Sequence, residues 1–253
     1  MTDKPSVSIL VVTHNHADYI PKLLQSLETF SYKNVFFCDA DSKDNTLEIL
    51  NSSSFSDNVL SKKILEGFSK NNNDLIRHFK LSSDYYLLLN PDVYFTEDFL
   101  SVLLEKAQND TTTGIASPLT YYPDNQIQVT WKKFPSLWQV FKKRIGLFKT
   151  TEEKRTEKAE WVLGSCMLIS NKLLKENGTL LDERYRLYCE DIDICFECTY
   201  KKMKILTVKD TFVYHHLNEL SSKNIWSKYN YWNIVSILKF ALKWNFKYIF
   251  RNA

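Results

Sequence analysis

Acidic side chains stand in three tight groups along this chain, and the spacing of each suits a different task. Asp92 follows the apolar run Tyr85–Leu89 through Asn90 and Pro91. An apolar run with no alternation reads as a strand buried on both faces of a parallel sheet, and Pro91 must end it. A carboxylate just past the carboxyl end of a central strand lies where open α/β sheets take their ligands, and it suits a divalent cation holding phosphate oxygens. Asn, Pro and Asp are also ordinary turn formers, so a plain turn competes with that reading. Asp39, Asp41 and Asp44 follow the short run Val35–Cys38, where acids can bind a ribose or pyrimidine ring or merely shape a turn. Asp44 is expected to do the second and Asp39 the first. Glu190, Asp191 and Asp193 open a helical stretch, a pattern that on its own means helix capping and compensation of the helix dipole.

The elements that carry these groups follow from periodicity. Val7–Val12 is an apolar strand ending at Thr13, His14 and Asn15, and Ile20, Leu23, Leu24 and Leu27 mark one face of the next helix. After Val35–Cys38, Asn45 and Glu48 fit a capping box. Val59–Leu65 is a strand between loops, the second of them Gly67–Asn73, and Leu75, Ile76 and Phe79 mark a helix. Beyond Asp92, Thr96 is expected to cap a helix with Phe99, Leu100, Leu103 and Leu104 on its face, with Glu97 and Asp98 in its first turn. Strand and helix alternate, so a parallel sheet is expected. Further on, Pro123–Asn125 sits between Tyr121–Tyr122 and Ile127–Val129 as a hairpin turn. Trp131–Phe148 is basic and aromatic, and Glu152–Lys158 is a charged loop. Leu173–Leu174 begin a short helix, the acidic group leads into a helix through Lys201, and Ile205–Val208 and Thr211–Tyr214 are short strands leading to His215 and His216.

Bulk properties set limits. The chain has 253 residues, 44% hydrophobic and 25% charged, which is ordinary for a globular protein with a large core. A net charge of +3 is too small to argue for nucleic acid. No leader and no membrane span are expected, so the protein should be cytoplasmic with its five cysteines reduced. Cys195 and Cys198 form a C-x-x-C inside a helical stretch with no second pair at zinc-ribbon spacing, and buried thiols are the expectation.

Eight segments in order resemble the inverting nucleotide-sugar glycosyltransferases of family two, in their rhamnosyltransferase-like branch. Val7–Asn15 looks like the opening strand with its Thr-x-Asn end, and CDADSKD at Cys38–Asp44 like the Asp-rich turn. GFSKNNNDLI from Gly67 is similar to the glycine- and asparagine-rich loop, and LLLNPDV to the metal motif, with Asn90 in place of its first carboxylate. IQVTWKKFPSL, EWVLGSCMLIS, LDERYRLYCEDIDIC and VYHHLNELSS resemble the basic segment, the acceptor-side segment, the Glu-Asp motif and the terminal His-to-Ser element.

That resemblance implies an α/β, GT-A (Rossmann-like) fold. A central, mostly parallel sheet would be flanked by helices, with an acceptor-side α+β half and a C-terminal amphipathic helical segment. One domain would span 1–253, divided into a nucleotide-sugar-binding half (1–110), an acceptor and catalytic half (111–220) and a helical extension (221–253). The implied reaction moves rhamnose or a similar hexose, with inversion, from a nucleoside-diphosphate sugar to a hydroxyl of a glycan or lipid-linked acceptor in cell-surface polysaccharide synthesis. Thr13, Asn15, Asp39, Asp41, Asn73 and Asn90 would bind the donor. Asp92 would hold Mg²⁺ or Mn²⁺, with His216 preferred over His215 as a further ligand or phosphate contact. Asp191 would be the general base and Glu190 would orient the acceptor or Asp191.

Other readings differ in what they require. A transferase using UDP-hexose or UDP-N-acetylhexosamine, or a non-catalytic nucleotide-sugar-binding module, would keep the same motifs. A sugar nucleotidyltransferase would need a glycine-rich phosphate loop, and THNHADY has no glycine. Nucleic-acid binding leaves the acidic groups without a role. Ile225–Phe250 mixes Lys228, Lys239, Lys243 and Lys247 with aromatic and apolar residues. It reads either as an interfacial helix on the inner face of a membrane or as a helix packed on the core with its lysines outside.

Overall fold

The computed structural model describes residues 5–134, 159–216 and 228–244, with side chains in the last stretch from residue 231 onward. Residues 135–148 of the basic aromatic segment, the Glu152–Lys158 run and Ser221 lie outside them.

β1 (Val7–Thr13), β2 (Val35–Ala40), β3 (Val59–Lys62) and β4 (Tyr85–Leu89) pair in parallel, with α1 (Ile20–Thr29), α2 (Thr46–Asn51) and α3 (Phe68–His78) between them. The chain then adds β5 (Val93–Tyr94), α4 (Phe99–Asn109), β6 (Thr113–Tyr121) and β7 (Ile127–Gln128). After these come β10 (Cys166–Ser170), α5 (Glu190–Tyr200), β11 (Lys204–His215) and α6 (Lys228–Lys243). All these strands form one nine-stranded sheet in the order β3-β2-β1-β4-β10-β6-β11-β5, with β7 also on β6. β8 (Trp131–Lys132) and β9 (Trp161–Val162) make a separate pair. The expected mostly parallel α/β sheet is present, and both halves of the chain contribute to it.

Alternation along the central strands divides the core in two. Leu10, Tyr86 and Leu88 point to one face, with Leu75, Ile76 and Ile194 from α3 and α5. Ile9, Val11, Leu87 and Leu89 point to the other, with Leu23, Leu27, Phe99 and Leu103 from α1 and α4. Because Leu87 and Leu88 are both enclosed, truncating either to Ala should cost about 2–5 kcal/mol.

Several local expectations are corrected. β4 is buried on both faces but lies between a parallel neighbour, β1, and an antiparallel one, β10. Gly67–Asn73 is no loop: a helix starts at Phe68, whose N–H donates to the Arg186 carbonyl (2.8 Å). Three asparagines are poor helix formers, yet all are buried: Asn71 accepts from Lys62 and Asn73 donates to the Leu181 carbonyl, tertiary contacts that override propensity, while Asn72 donates to the Phe68 carbonyl of its own helix. The cap of α4 is Asp98, which accepts from Ser101 N–H, and not Thr96. Glu97 instead accepts from Thr211 Oγ1–H (2.6 Å) and Phe212 N–H (3.1 Å). It thereby closes an irregularity that keeps β11 one strand and not two. The Asn45–Glu48 box does not form, and Asp44 caps α2 through Thr46 N–H and Oγ1–H. The short helix expected from Leu173 is a 3-10 turn over Asn171–Leu173.

The last helix packs one face on the core, as one of its two readings had it, but Lys243 does not face outward. Ser236, Phe240 and Ala241 are buried, and Lys243 turns inward to Asp193 (2.5 Å) and Asp182 (2.9 Å). The outward face carries Tyr231, Ile234, Leu238 and Leu242, which are 66%, 45%, 59% and 67% exposed. Among the described residues, no helix is long and apolar enough to cross a membrane.

Candidate active site

Parallel pairing brings the carboxyl ends of β1, β2 and β4 to one rim. Thr13 lies level with Asp39, and Leu10 with Leu88, so the chain beyond Leu89 emerges beside both. Two loops are laced together there. Thr13 Oγ1–H donates to Asp39 Oδ1 (2.9 Å), and Ser42 donates to both Asp39 oxygens, Oγ–H to Oδ1 (2.5 Å) and N–H to Oδ2 (3.1 Å). Asn15, in the left-handed region that Asn tolerates, accepts from Lys43 N–H at its Oδ1 (2.7 Å), while its own N–H donates to Ser42 Oγ (2.9 Å). Asp39 is thus almost fully enclosed and serves the turn as well. Asp41 keeps the more accessible carboxylate, paired with Lys43 at 2.6 Å. Asp44 caps, as expected. Asn73 sits at the other end of α3's buried face. Its Oδ1 accepts from the N–H groups of Leu180 and Leu181 and its Nδ2–H donates to the Leu181 carbonyl and Glu183, so both ends hold the 180–183 segment.

Asp92 is buried, and its Oδ1 lies 3.2 Å from His215 Nε2. Burial works to raise this carboxyl, but the hydrogen bond and charge of His215, with His16, outweigh it and hold the group below the ordinary Asp value. The contact follows from strand pairing: His215 faces Val93 across β11 and β5, and His216 N–H donates to the Asp92 carbonyl. Successive strand residues point to opposite sides. His216 therefore turns away, its ring between Tyr19 (5.2 Å) and Tyr94 (5.5 Å). It is the ring of His215, and not that of His216, that contacts Asp92 in this structure.

The antiparallel partner of β4 links this group to the second acid pair. Cys166 faces Leu89, so Gly164 and Ser165 lie beside Asn90 and Asp92, and Asn90 N–H donates to the Ser165 carbonyl (2.8 Å). A Cβ on Gly164 would stand 3.5 Å from Asp191 Cβ. Tyr188 and Cys189 both have positive φ (69° and 70°), a strained turn that sets Glu190 and Asp191 at the start of α5. Burial pushes the Asp191 carboxyl up, while N–H groups of Ile192 and Gly164 and the charge of Lys132 pull it back. Glu190 is raised further by burial and by Asp191, and its Oε2 has no partner among the described residues. A carboxylate with a raised pKa can take a proton from a hydroxyl brought against it. Asp193 is structural: it accepts from Tyr185 Oη–H (3.0 Å), Trp244 Nε1–H (2.9 Å) and Lys243.

Asp92 and His215 offer one oxygen and one nitrogen donor side by side. Among the described residues no cluster of three or more His, Cys, Asp or Glu surrounds them. A cation there would complete its shell with phosphate and water, which is how Mg²⁺ and Mn²⁺ sites in phosphate-handling enzymes are built, so the residues fit such an ion. Cys195 and Cys198 are free and buried. Sequence reasoning missed Gly164, Gln128 and His16; Gln128 Oε1 lies 2.8 Å from His215 Nδ1, and Asp92 is the strongest charge acting on the His16 ring. Only a pattern of long-range pairing could have singled them out.

Residues 8–178 match the profile of Glycosyl transferase family 2. The rhamnosyltransferase WbbL of Escherichia coli (strain K12) is 27% identical over 255 residues, covering 94% of this chain and 93% of that protein. The N-acetylglucosaminyl-diphospho-decaprenol L-rhamnosyltransferase of Mycobacterium tuberculosis is 28% identical over 123 residues, 44% of this chain and 40% of that one. In structure, the chain is similar to the mannosyltransferase PcManGT from Pyrobaculum calidifontis, solved with GDP-Man and Mn²⁺. The TM-score is 0.65 at 16% identity, over 97% of this chain and 66% of that one, a likeness of fold.

Proposed function

The chain belongs to glycosyl transferase family 2, and from that premise we propose an inverting, cation-assisted transfer of rhamnose or a related hexose to a hydroxyl of a lipid-linked saccharide. The relatives' names favour rhamnose and a lipid diphosphate carrier. A UDP-hexose or UDP-N-acetylhexosamine is the alternative donor. The observation that carries the reading is the β4–β10 pairing: Asn90, two residues before Asp92, bonds to Ser165, and Asp191 packs against the adjacent Gly164.

The acceptor hydroxyl gives its proton to an oxygen of Asp191 as its own oxygen bonds to the anomeric carbon. The bond from that carbon to the diphosphate oxygen breaks with its electron pair, and the nucleoside diphosphate leaves. Attack opposite the leaving group inverts the centre. Glu190 holds the acceptor or Asp191 in line, and Asp41, Asn15 and Asn90 shape the donor side of the cleft. A divalent cation held by Asp92 and His215 would neutralise charge on the leaving diphosphate.

The exposed apolar face of α6 fits the surface of a membrane that carries the acceptor, with the enzyme on its inner face. The decisive experiment is a transfer assay over a panel of nucleotide sugars with Mn²⁺ and a lipid-linked acceptor. Transfer should appear with one donor and fall at least about a hundredfold in Asp191→Asn, whose donor binding should be unchanged. Near-normal turnover by that variant would remove Asp191 from its role.

A further inference from the structure

Gln128 lies on β7, buried, at the far side of His215 from Asp92. Its Oε1 is 2.8 Å from His215 Nδ1, and its Nε2 is enclosed with no partner among the described residues. An orphan amide end beside a ring that itself touches an acid calls for an explanation. With Oε1 facing Nδ1, that ring nitrogen donates to the amide oxygen, and the ring presents Nε2 to the Asp92 oxygen 3.2 Å away. Nε2 and that oxygen are the two atoms the proposed cation would take.

We propose that Gln128 is a positioning residue for His215 as a cation ligand: Oε1 accepts from Nδ1–H, fixes the ring and aims Nε2 at the edge it shares with Asp92. Imidazole ligands commonly donate their other N–H to an acceptor that fixes the ring and raises its basicity. The proposal rests on the reading of Asp92 and His215 as the cation pair.

The test is Mn²⁺ titration followed by electron paramagnetic resonance, without donor, on the full chain and on Gln128→Leu, Gln128→Glu, His215→Ala and Asp92→Ala, with a melting curve for each. Gln128→Leu should weaken Mn²⁺ roughly 10–100-fold, the range seen when such partners are lost, while Gln128→Glu, which keeps the acceptor, should bind at least as tightly as the parent. Parental Mn²⁺ binding by Gln128→Leu beside weakened His215→Ala would overturn the role of Gln128 alone. Equal weakening in the Leu and Glu variants would also overturn it, pointing to packing. Should Gln128→Leu fail to fold, weakened Mn²⁺ binding by Gln128→Glu overturns the role by itself. Parental binding by both His215→Ala and Asp92→Ala would instead remove the cation pair itself.

Discussion

The amide of Asn90 donates to the carbonyl of Ser165 at 2.8 Å, and this bond ties the end of a central strand to the chain that backs Asp191. Across this antiparallel join the turn that carries Asp92 meets the segment of Gly164, against which Asp191 packs, although the two acids are about a hundred residues apart in the sequence. Any shift of β10 by one residue would move Gly164 away and turn its side chains to the other face.

The pH dependence of transfer should report the Glu190–Asp191 pair. Burial raises both carboxyls, so the acid limb of kcat/KM should lie above the ordinary carboxylate range and belong to the pair as a unit. A profile flat down to the ordinary range would sink this expectation. So would an unchanged limb in Asp191→Asn.

Stability should carry the opposite mark of the same burial. A carboxyl raised on folding holds its proton more tightly in the native state, so native stability declines as pH rises from the ordinary carboxylate value through the raised one. Glu190→Gln removes that penalty and should stabilise the protein at neutral pH by on the order of 1–3 kcal/mol, with the gain vanishing in acid. Urea denaturation at two pH values checks both size and sign.

Cation choice follows from the donor set. An imidazole nitrogen beside one carboxylate favours Mn²⁺ over the harder Mg²⁺. His215→Ala should narrow that preference in transfer assays while His216→Ala leaves it intact. The reverse pattern would restore His216 to the site.

Lys243 compensates two enclosed acids, Asp193 and Asp182. Lys243→Met removes the cation from an enclosed Asp193, leaving it the neutral donors Tyr185 and Trp244, and should cost about 3–5 kcal/mol. Adding Asp193→Asn should recover part of it, as a double-mutant cycle would read.

The outward face of α6 gives a surface test. Glu at Ile234 and Leu238 should abolish sedimentation with anionic vesicles and change unfolding by no more than about 0.5 kcal/mol, since both side chains are solvent-facing. No vesicle binding by the parent protein would end the membrane reading.

The sequence by itself determined the strands, their alternation with helices, the stop at Pro91 and the capping by Asp44, because apolar periodicity and turn chemistry act over a few residues. It placed Asp92 and Asp191 at element ends for the same reason. Tertiary structure decided which histidine meets Asp92, since that depends on β11 pairing with β5 over more than a hundred residues. It made a helix from Phe68 onward by giving Asn73 partners more than a hundred residues away and Asn71 one in β3, and it turned Lys243 inward to acids that precede it by fifty residues and more. Such choices are settled by which faces meet in space, and local propensity carries no record of that.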